Sequence, residues 1–502
     1  MKKYRGYVPV HLLEKLPLRL PFWRYYAMFR QNKYSFLLDS ASDPQKLGRF
    51  SFLGGDPFLV LKVKRMKAPG QARYSARLEV IDRMDAPGVV HEVTTDVFAE
   101  IRQLLDAHYL ERSFYSGRPA PFLAGAVGYF GYEAGHFIEN IPGLGTDDLG
   151  LPDIYLLFMS SLLVHCHRTG VSYLSVLGRG PNEVVARVRA ERARDQILRK
   201  IEAFERDPPL DEPSAAQRSR AADVEVVPTF DQAAYCDLVE RAKEHIFAGD
   251  VFEICLTQRL TSPFAGDPWH LYQELRRINP APFACYLNLP EAQVVSSSPE
   301  RFLRLGADGV AESRPIKGTR RRGNTEEEDQ ALLQDLASTV KDQAENNMIV
   351  DLVRNDFGRV SRFGTVHVPE LRIIERYATV YQMVSTIRGQ LEDEHDGIDL
   401  LKACFPGGSM TGAPKIEAMK IIDRLEPMIR GVYSGAIGYM DFSGPIDFNI
   451  VIRTFVMKNG RAHYNVGGAI VADSDPRAEH QETLDKARAL VTALRNLNGA
   501  AS

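Results

Sequence analysis

The spacing of apolar and polar positions divides the chain into a strand-rich first part and a mixed second part. In the first part, short β-branched or aromatic runs are separated by turn residues, a pattern typical of antiparallel strands. The predicted strands are 34–38, 49–53, 58–63, 122–132 and 154–164.

The second part alternates strand-like and helix-like patterns. A charged helical stretch at 182–204 precedes it, and an amphipathic stretch at 231–248 begins it. Further along, apolar runs predict strands, and apolar positions at helical spacing predict helices. The strands are 251–259 and 284–288, and the helices are 326–353, 415–425 and 476–497.

A proline-rich segment separates the two parts. Residues 206–228 contain Pro208, Pro209, Pro213 and Pro228 with little apolar periodicity, as expected of a linker. We therefore predict an N-terminal strand-rich region at 1–205, a linker at 206–228 and a second domain at 229–500. Because both parts are rich in strands, the expected fold is α+β, with two packed, largely antiparallel sheets flanked by helices.

Composition narrows the class of protein. The residues are 44% hydrophobic and 25% charged, with a net charge of -3, a composition that is ordinary for a globular protein. A length of 502 residues exceeds what one ordinary hydrophobic core supports, so two domains or one large composite domain are expected. The balanced charge favours neither a nucleic-acid nor a membrane partner. Five dispersed cysteines without a CxxC pair, and an N-terminus without an apolar core, predict a soluble cytoplasmic protein.

Two predicted helices each carry carboxylates three residues apart. They are Asp342 with Glu345, and Glu479 with Glu482. This spacing puts both side chains on one face of a helix. Two opposed faces of this kind would form an oxygen-rich site suited to Mg²⁺, although each pair alone is more often a solvated surface.

Glycine-rich turns and one buried-looking arginine indicate an anion site. The stretch FPGGSMTGAPK ends where a helix begins, and Gly467 and Gly468 follow a strand, so backbone N–H groups could approach an anion. Arg453 lies within an apolar strand and needs a partner, either an anionic ligand or a buried carboxylate.

Two further residues could carry chemistry. Glu300, in SSSPERF, would be a general acid or a surface residue. Lys317, in SRPIKGTRRRG, would be a nucleophile if desolvated, or a lysine whose ammonium reaches solvent.

Taken together, these stretches resemble one family, the chorismate-binding large subunits, which includes anthranilate synthase component I and aminodeoxychorismate synthase component I. The N-terminal part is similar through FLLDSA, GRFSFLGGDP and AGAVGYFGYE. The resemblance implies an anthranilate synthase component I-like fold. The matching C-terminal stretches, in the family's order, are GDVFEICLTQR, SSSPERF, SRPIKGTRRRG, ENNMIVDLVRNDFGRV, FPGGSMTGAPK, RGVYSGAIGYM, IRTF, GGAIVADS and AEHQETLDKARA.

The resemblance also implies roles for individual residues. Glu345 and Glu482 would ligate Mg²⁺, supported by Asp342 and Glu479, and the ion would hold the ring carboxylate of chorismate. Glu300 would be the general acid. The residues implied in substrate binding are Ser409, Lys415, Tyr433, Arg453 and the backbone at Gly467 and Gly468.

The choice of branch depends on Lys317. Anthranilate synthases usually read PIAGT where this chain reads PIKGT, the form similar to aminodeoxychorismate synthases. There the lysine is thought to attack ring carbon 2 so that ammonia adds at carbon 4. Two positions depart from the family pattern: Gln382 stands where many members have histidine, and Glu253 stands where ammonia-using members usually have glutamine and water-using members have lysine.

A second site is implied by LLDSA and NPAPFACYL, which resemble the tryptophan pocket of anthranilate synthases. Asp39 stands where feedback-inhibited members usually have glutamate. The residues of this possible tryptophan pocket are Leu38, Asp39, Ser40, Asn279, Pro282 and Phe283.

The resemblance predicts an Mg²⁺-dependent aminodeoxychorismate synthase component I on the path to 4-aminobenzoate and folate. No GxCxGHQ-like stretch is present, so a separate glutaminase subunit is expected to supply ammonia. The alternatives are an anthranilate synthase component I making anthranilate and pyruvate, and a non-catalytic amino-acid-binding subunit. The presence of Glu300, Glu345, Glu479 and Glu482 argues against the last.

Overall fold

A computed structural model of the chain describes residues 7–43, 46–67, 74–83, 88–111, 117–209, 223–377 and 380–498. These residues form two large antiparallel sheets with helices around them, so the predicted α+β class is confirmed. Most of the predicted linker, residues 210–222, lies outside the described residues.

The first sheet has twelve strands among the described residues. Its order is β1-β10-β9-β3-β2-β13-β14-β23-β24-β12-β11, with β20 paired to β12. The strands are β1 (Val8–Leu16), β2 (Ser35–Asp39), β3 (Phe50–Gly55), β9 (Ser161–Cys166), β10 (Val171–Gly180), β11 (Val227–Pro228), β12 (Glu253–Pro263), β13 (Phe283–Asn288), β14 (Gln293–Ser298), β20 (Gly412–Ala413), β23 (Thr454–Lys458) and β24 (Arg461–Ile470).

The second sheet also has twelve strands in the described part of the chain. Its order is β17-β19-β16-β15-β22-β21-β7-β8-β4-β5-β6, with β18 paired to β19. The strands are β4 (Leu59–Met66), β5 (Ser75–Asp82), β6 (Gly88–Thr94), β7 (Gly125–Phe130), β8 (Ile154–Met159), β15 (Arg301–Leu305), β16 (Val310–Arg314), β17 (Ile316–Arg321), β18 (His367–Arg376), β19 (Val380–Gln390), β21 (Ala436–Asp441) and β22 (Ile446–Ile450).

Each sheet combines strands from both sides of the predicted linker. In the first sheet β2 pairs with β13, and in the second β7 pairs with β21. Within the described residues, neither part of the sequence therefore has a sheet of its own. The division at 206–228 stays a prediction about the sequence, while the sheets join the two parts into one body.

Nine α-helices lie within the described residues. Several start at a side chain that caps a free backbone N–H, as Asn182, Asp231, Asp267 and Thr325 do. The helices are α1 (Val97–Asp106), α2 (Glu183–Arg206), α3 (Gln232–Phe247), α4 (Pro268–Ile278), α5 (Glu326–Ser338), α6 (Val340–Gly358), α7 (Gly397–Cys404), α8 (Lys415–Leu425) and α9 (Pro476–Asn498). None of them is long and apolar enough to cross a membrane.

The main core lies between the two sheets. Phe52 of the first sheet meets Tyr439 of the second with 5.4 Å between ring centroids, and Phe122 stacks on Tyr439 at 4.5 Å. A second core packs α2, α4 and α9 on the other face of the first sheet, around Trp269 and Leu490. Burial of these large apolar side chains on both faces accounts for the packed-sheet arrangement.

Two predicted elements are wrong in their bounds. The apolar run 154–164 forms two strands, because the chain passes at Ser160 from β8 in the second sheet to β9 in the first. Both halves face a core, so periodicity cannot separate them. The predicted helix 326–353 is broken at Thr339, whose ψ of 113° is extended, and it becomes α5 and α6.

Candidate active site

Lys317 reaches the interior through an irregularity in β17. The β17–β19 register shifts between Ile316 and Thr319, so Lys317 and Gly318 form a bulge. Bulges re-aim side chains. Gly318 has a φ of +84°, and a Cβ on it would come within 3.0 Å of the Asp342 carboxyl carbon, so the bulge requires glycine here.

The ammonium of Lys317 lies between two carboxylates. Its Nζ donates to Glu253 Oε1 at 2.6 Å and lies 3.9 Å from Glu345 Oε2. Lys317 is 8% exposed, which excludes the solvent-reaching lysine considered from sequence. Burial lowers the pKa of Lys317, but Glu253 and Glu345 outweigh it, and the net effect is a raised pKa. The amine is therefore charged before substrate binds.

Glu300 is buried directly after β14, and the surface alternative does not apply to it. The Ser409 hydroxyl donates to Glu300 Oε1 at 2.9 Å. Burial raises the pKa of Glu300 to about 7, against the opposing effects of Ser409 and Lys317. A carboxyl group with this pKa is partly protonated near neutral pH and can donate a proton.

The predicted metal ligands approach each other from α6 and α9. Glu345 on α6 and Glu479 on α9 share the ammonium of Lys341, at 3.9 and 3.2 Å. Glu482 pairs with Lys486 at 2.7 Å. Burial raises the pKa of Glu345 to about 7. Burial also acts to raise the pKa of Glu482, but the nearby Lys486 ammonium outweighs it, and the net effect is a lowered pKa.

These carboxylates have the donor chemistry that suits a divalent cation. Glu479 Oε2 is buried without a hydrogen-bond partner. A Cβ on Gly468 would lie 3.2 Å from that oxygen and 3.5 Å from Glu482 Oε1, so the glycine leaves room beside both carboxylates. The oxygens of Glu345, Glu479 and Glu482 lie further apart than those of a formed metal site. Among the described residues, only the surface group Glu392, Glu394 and His395 has ligand atoms all within 4.8 Å of one another.

We call the whole group the Lys317 cluster. Contacts and charge interactions link its members across β12, β17, α6 and α9. Its members are Glu253, Glu300, Lys317, Lys341, Glu345, Ser409, Glu479, Glu482 and Lys486. Asp342 lies at its edge, where its carboxylate pairs with Arg320 at 2.9 Å.

Arg453 is a cation without a carboxylate. Its φ of 52° is unusual for a non-glycine residue. Nη1 donates to the Lys486 carbonyl at 3.1 Å, and no carboxylate of the described residues pairs with it. Burial lowers the pKa of Arg453, while the nearby Tyr433 hydroxyl acts in the opposite direction. The sequence left open a buried ion pair or an anionic ligand, and the absence of the former favours the latter.

The remaining predicted substrate residues are distributed unevenly. Gly467 and Gly468 pair with Thr257 and Leu256 of β12, beside the Lys317 cluster. Lys415 instead donates to Asp356 at 2.6 Å and to the Cys404 carbonyl at 2.8 Å, so its ammonium is already occupied. Its role in substrate binding stays a prediction.

Gln382 is placed near the Lys317 bulge. It is buried on β19, opposite Thr319 of β17. It is therefore two residues away from Lys317 across the ladder.

The predicted tryptophan residues border a separate cavity of about 310 Å³ between the sheets, which we call the Asp39 cavity. Leu38, Asp39, Ser40, Pro282 and Phe283 line it. Asn279 is not among the lining residues, and its amide donates to Ser297 Oγ at 3.0 Å.

Within this cavity Asp39 is fully engaged by the protein. It accepts hydrogen bonds from the Tyr272 hydroxyl at 3.0 Å, from Ser51 Oγ at 3.2 Å and from Arg276 Nε. Its carboxylate is 2% exposed. Binding of tryptophan stays a prediction.

Comparison with known proteins identifies the family. The family described as chorismate binding enzyme matches residues 66–492. The chain belongs to the chorismate-binding enzymes. The anthranilate synthase component 1 of Acetivibrio thermocellus is 34% identical over 98% of this chain and 96% of that protein. The aminodeoxychorismate synthase of Streptomyces pristinaespiralis is 40% identical over 95% of this chain and 64% of that protein.

Solved structures of chorismate-binding enzymes agree with the fold. The anthranilate synthase component I of Streptococcus pneumoniae superposes with a TM-score of 0.72 at 30% identity, covering 90% of this chain and 93% of that one. The isochorismate synthase MenF of Escherichia coli, at 18% identity and a TM-score of 0.67, shows the same fold. Relatives of this chain carry both synthase names, so the family is established and the branch is not.

Sequence reasoning missed three cations in and beside this candidate site. Lys341 is four residues before Glu345, and Lys486 is four residues after Glu482, so helical spacing from the carboxylates could have indicated both. Arg430, in RGVYSGAIGYM, lies four residues after its carboxylate partner Glu426, but its contacts with the Met410 and Cys255 carbonyls had no local signal, because they join separate segments.

Proposed function

We propose that this chain converts chorismate and ammonia to 4-amino-4-deoxychorismate, as an aminodeoxychorismate synthase component I. The observation that carries the proposal is the buried ammonium of Lys317, 2.6 Å from Glu253. An amine at this position can form a covalent bond to the substrate ring, which a small residue cannot do.

Arg453 supports binding of a carboxylate substrate. Chorismate carries two carboxylates and no positive charge, and Arg453 offers a guanidinium that no described carboxylate neutralises. Gly467 and Gly468 have no Cβ, which leaves room for a second anionic group to approach the backbone there. A bound Mg²⁺, held by Glu345 and Glu482 with Glu479 supporting, would hold the ring carboxylate as a Lewis acid.

Glu300 acts as the general acid in this proposal. Loss of the carbon 4 hydroxyl requires a proton, because hydroxide is a poor leaving group. The protonated Glu300 donates this proton and becomes a carboxylate, which the Ser409 hydroxyl stabilises by its hydrogen bond.

Lys317 must first lose a proton to act as a nucleophile, and Glu253 is placed to receive it. The free amine then bonds to ring carbon 2, both conjugated ring double bonds shift towards carbon 4, and the carbon 4 hydroxyl leaves as water with the proton from Glu300. Ammonia bonds to carbon 4, both double bonds shift back, and Lys317 leaves carbon 2 as the amine. Ammonia displaces water overall, and no oxidant is needed.

Partner and pathway follow from the same proposal. Ammonia would come from a separate glutaminase subunit in the cytoplasm, and the product would serve 4-aminobenzoate and folate synthesis. Relatives named component 1, such as that of Bacillus subtilis at 38% identity, support a further component.

Product analysis tests the proposal. The purified chain with Mg²⁺, chorismate and ammonium should form aminodeoxychorismate, seen by chromatography and converted to 4-aminobenzoate by an added lyase. Lys317→Met should reduce its formation by about 10²-fold or more, since the nucleophile is lost. Combining it with Glu253→Gln avoids leaving a buried unpaired carboxylate. Normal rates and product in both variants would exclude Lys317.

Anthranilate synthase component I is the second candidate. The near full-length match with the Acetivibrio thermocellus protein favours it, because both chains are covered almost end to end. The same assay distinguishes the two, since anthranilate is fluorescent and is released with pyruvate. Anthranilate as the parent chain's product would replace the first proposal with this one.

A further inference from the structure

Arg430 lies inside the protein behind the Lys317 cluster, and each of its side-chain N–H groups can be assigned an acceptor. Nε donates to Glu426 Oε2 at 2.8 Å, and Nη2 donates to Glu426 Oε1 at 2.6 Å and to the Cys255 carbonyl at 2.7 Å. Nη1 donates to the Met410 carbonyl at 2.6 Å and to Ser434 Oγ at 3.4 Å. Arg430 is 4% exposed and lies over the Tyr132 ring at 4.6 Å.

The acceptors are immediate neighbours of the groups that act on substrate. Met410 follows Ser409, which donates to Glu300. Ser434 follows Tyr433. Cys255 is two residues from Glu253 on β12, the partner of Lys317. One guanidinium thus connects three segments that are distant in sequence.

The carboxylate partner extends this connection. Glu426 Oε1 also accepts from the Thr257 backbone N–H at 2.8 Å and from its hydroxyl at 3.1 Å, which ties it to β12. Glu133, from the N-terminal part, accepts from the backbone N–H groups of Arg430 and Gly431, both at 2.8 Å. The loop that carries Arg430 is therefore fixed from both parts of the sequence.

Stability alone does not account for such a pair. The cost of removing two charges from water offsets most of their attraction, so a buried ion pair contributes little net stability. A planar fork with five donors fixes geometry instead, and a lysine with three donors cannot reproduce it.

We propose that Arg430 is a positioning residue that, together with Glu426, sets the relative placement of Ser409, Tyr433 and Glu253. This inference rests on the proposed function only in that these three residues act on chorismate. It holds for either product, because both branches need the same placement of substrate and acid.

Three variants test it. Arg430→Lys keeps the charge and removes the fork, and Arg430→Met with Glu426→Gln removes the pair without leaving a lone charge. Arg102→Met with Asp396→Asn is the control. This more exposed Arg–carboxylate pair also joins the two parts, at 2.7 Å, and it contacts none of the three segments.

Chorismate consumption is measured with saturating ammonium, whatever the product. Both Arg430 variants should lose about 10- to 100-fold in kcat with less than a threefold change in KM for chorismate, since a displacement of about 1 Å can cost 10²-fold. The control should keep kcat within twofold. A folded Arg430→Lys variant with parental kcat and KM would overturn the inference.

Hydrogen exchange separates this outcome from failure of the proposed function. The backbone N–H groups of residues 407–411 and 431–434 should exchange at least tenfold faster in Arg430→Lys, while exchange in β4 and β5 stays unchanged. This readout needs no turnover. If both loops exchanged at the same rate in Arg430→Lys as in the parent chain, the inference would be overturned, even if the parent chain consumed no chorismate.

Discussion

The Lys317 cluster and the Asp39 cavity both contain buried acids, but the carboxylates of the two regions differ in how many hydrogen-bond partners the protein gives them. Asp39 accepts from Arg276, Tyr272 and Ser51, so the protein itself satisfies its carboxylate. In the Lys317 cluster, Glu253 Oε2 and Glu479 Oε2 are buried without a hydrogen-bond partner. Burial also raises the pKa of Glu300 and of Glu345 to about 7.

We interpret this difference as one between a structural acid and a candidate functional acid. A buried carboxylate with all its hydrogen bonds made contributes to folding, because losing it leaves its partners unsatisfied. A buried carboxylate that lacks partners destabilises the folded chain until a cation, a proton or a substrate arrives. Variants in the two regions should consequently alter different measurements.

The largest effect is expected for Glu300→Gln. The amide cannot donate the acid proton, so kcat for chorismate consumption should fall by about 10²- to 10⁴-fold. In the parent chain kcat should decline above about pH 7, as Glu300 ionises. Steady-state kinetics from pH 5 to 9 measure both.

The same substitution at Glu300 should have little effect on stability. The pKa of Glu300 in the folded chain lies above its usual 4.5, so its contribution to stability is present at low pH and is lost as pH rises through about 7. At pH 8, Glu300→Gln should therefore melt no lower than the parent. Glu274→Gln is the control, a buried glutamate on α4 paired with Arg277 that should keep its kcat. A large loss of stability in Glu300→Gln with kcat retained would reverse the comparison.

Asp39→Asn should show the opposite pattern. It leaves the Arg276 guanidinium without its carboxylate, and breaking a buried pair costs about 3 kcal/mol. Denaturant unfolding should show this loss, while kcat stays within about twofold. Adding Arg276→Met should restore part of the stability, because no lone charge then remains. Unchanged stability in Asp39→Asn would show that its hydrogen bonds are replaceable.

The smallest effect concerns Mg²⁺. If the ion binds the folded chain, a concentration about 100 times its Kd should stabilise by about 2.7 kcal/mol and raise Tm. Glu479→Gln should lose most of this shift, because a ligand-side carboxylate is gone. Asp39→Asn should keep it, as the Asp39 cavity is a separate region. An equal shift in all three proteins would mean that Mg²⁺ binds elsewhere.

The sequence predicted individual elements well where local signals were strong. The helix at 415–425 matches α8, and the helix at 476–497 lies within α9, because apolar spacing and a starting proline define both. It failed at 154–164 and at 326–353, where a continuous pattern conceals a change of sheet at Ser160 and a break at Thr339.

For the site, family motifs indicated the candidate reactive residues but not their partners. The motif PIKGT singled out Lys317, while its pairing with Glu253 depends on strands 64 residues apart. Lys415 shows that a motif can also indicate a residue whose charge the protein itself pairs. The family resemblance implied that it binds substrate, yet its ammonium donates to Asp356.

The sequence by itself determined the family and the α+β class, and it predicted which side chains would react, because motifs and periodicity are local properties. The tertiary structure decided which acids are satisfied and which are not. Burial, pKa shifts and hydrogen-bond completeness depend on segments that meet only after folding, as Arg430 shows by joining Met410, Ser434 and Cys255. The same chemical group, a carboxylate, is therefore fully hydrogen-bonded at Asp39, whereas Glu479 keeps one buried oxygen without a partner and burial raises the pKa of Glu300 to about 7.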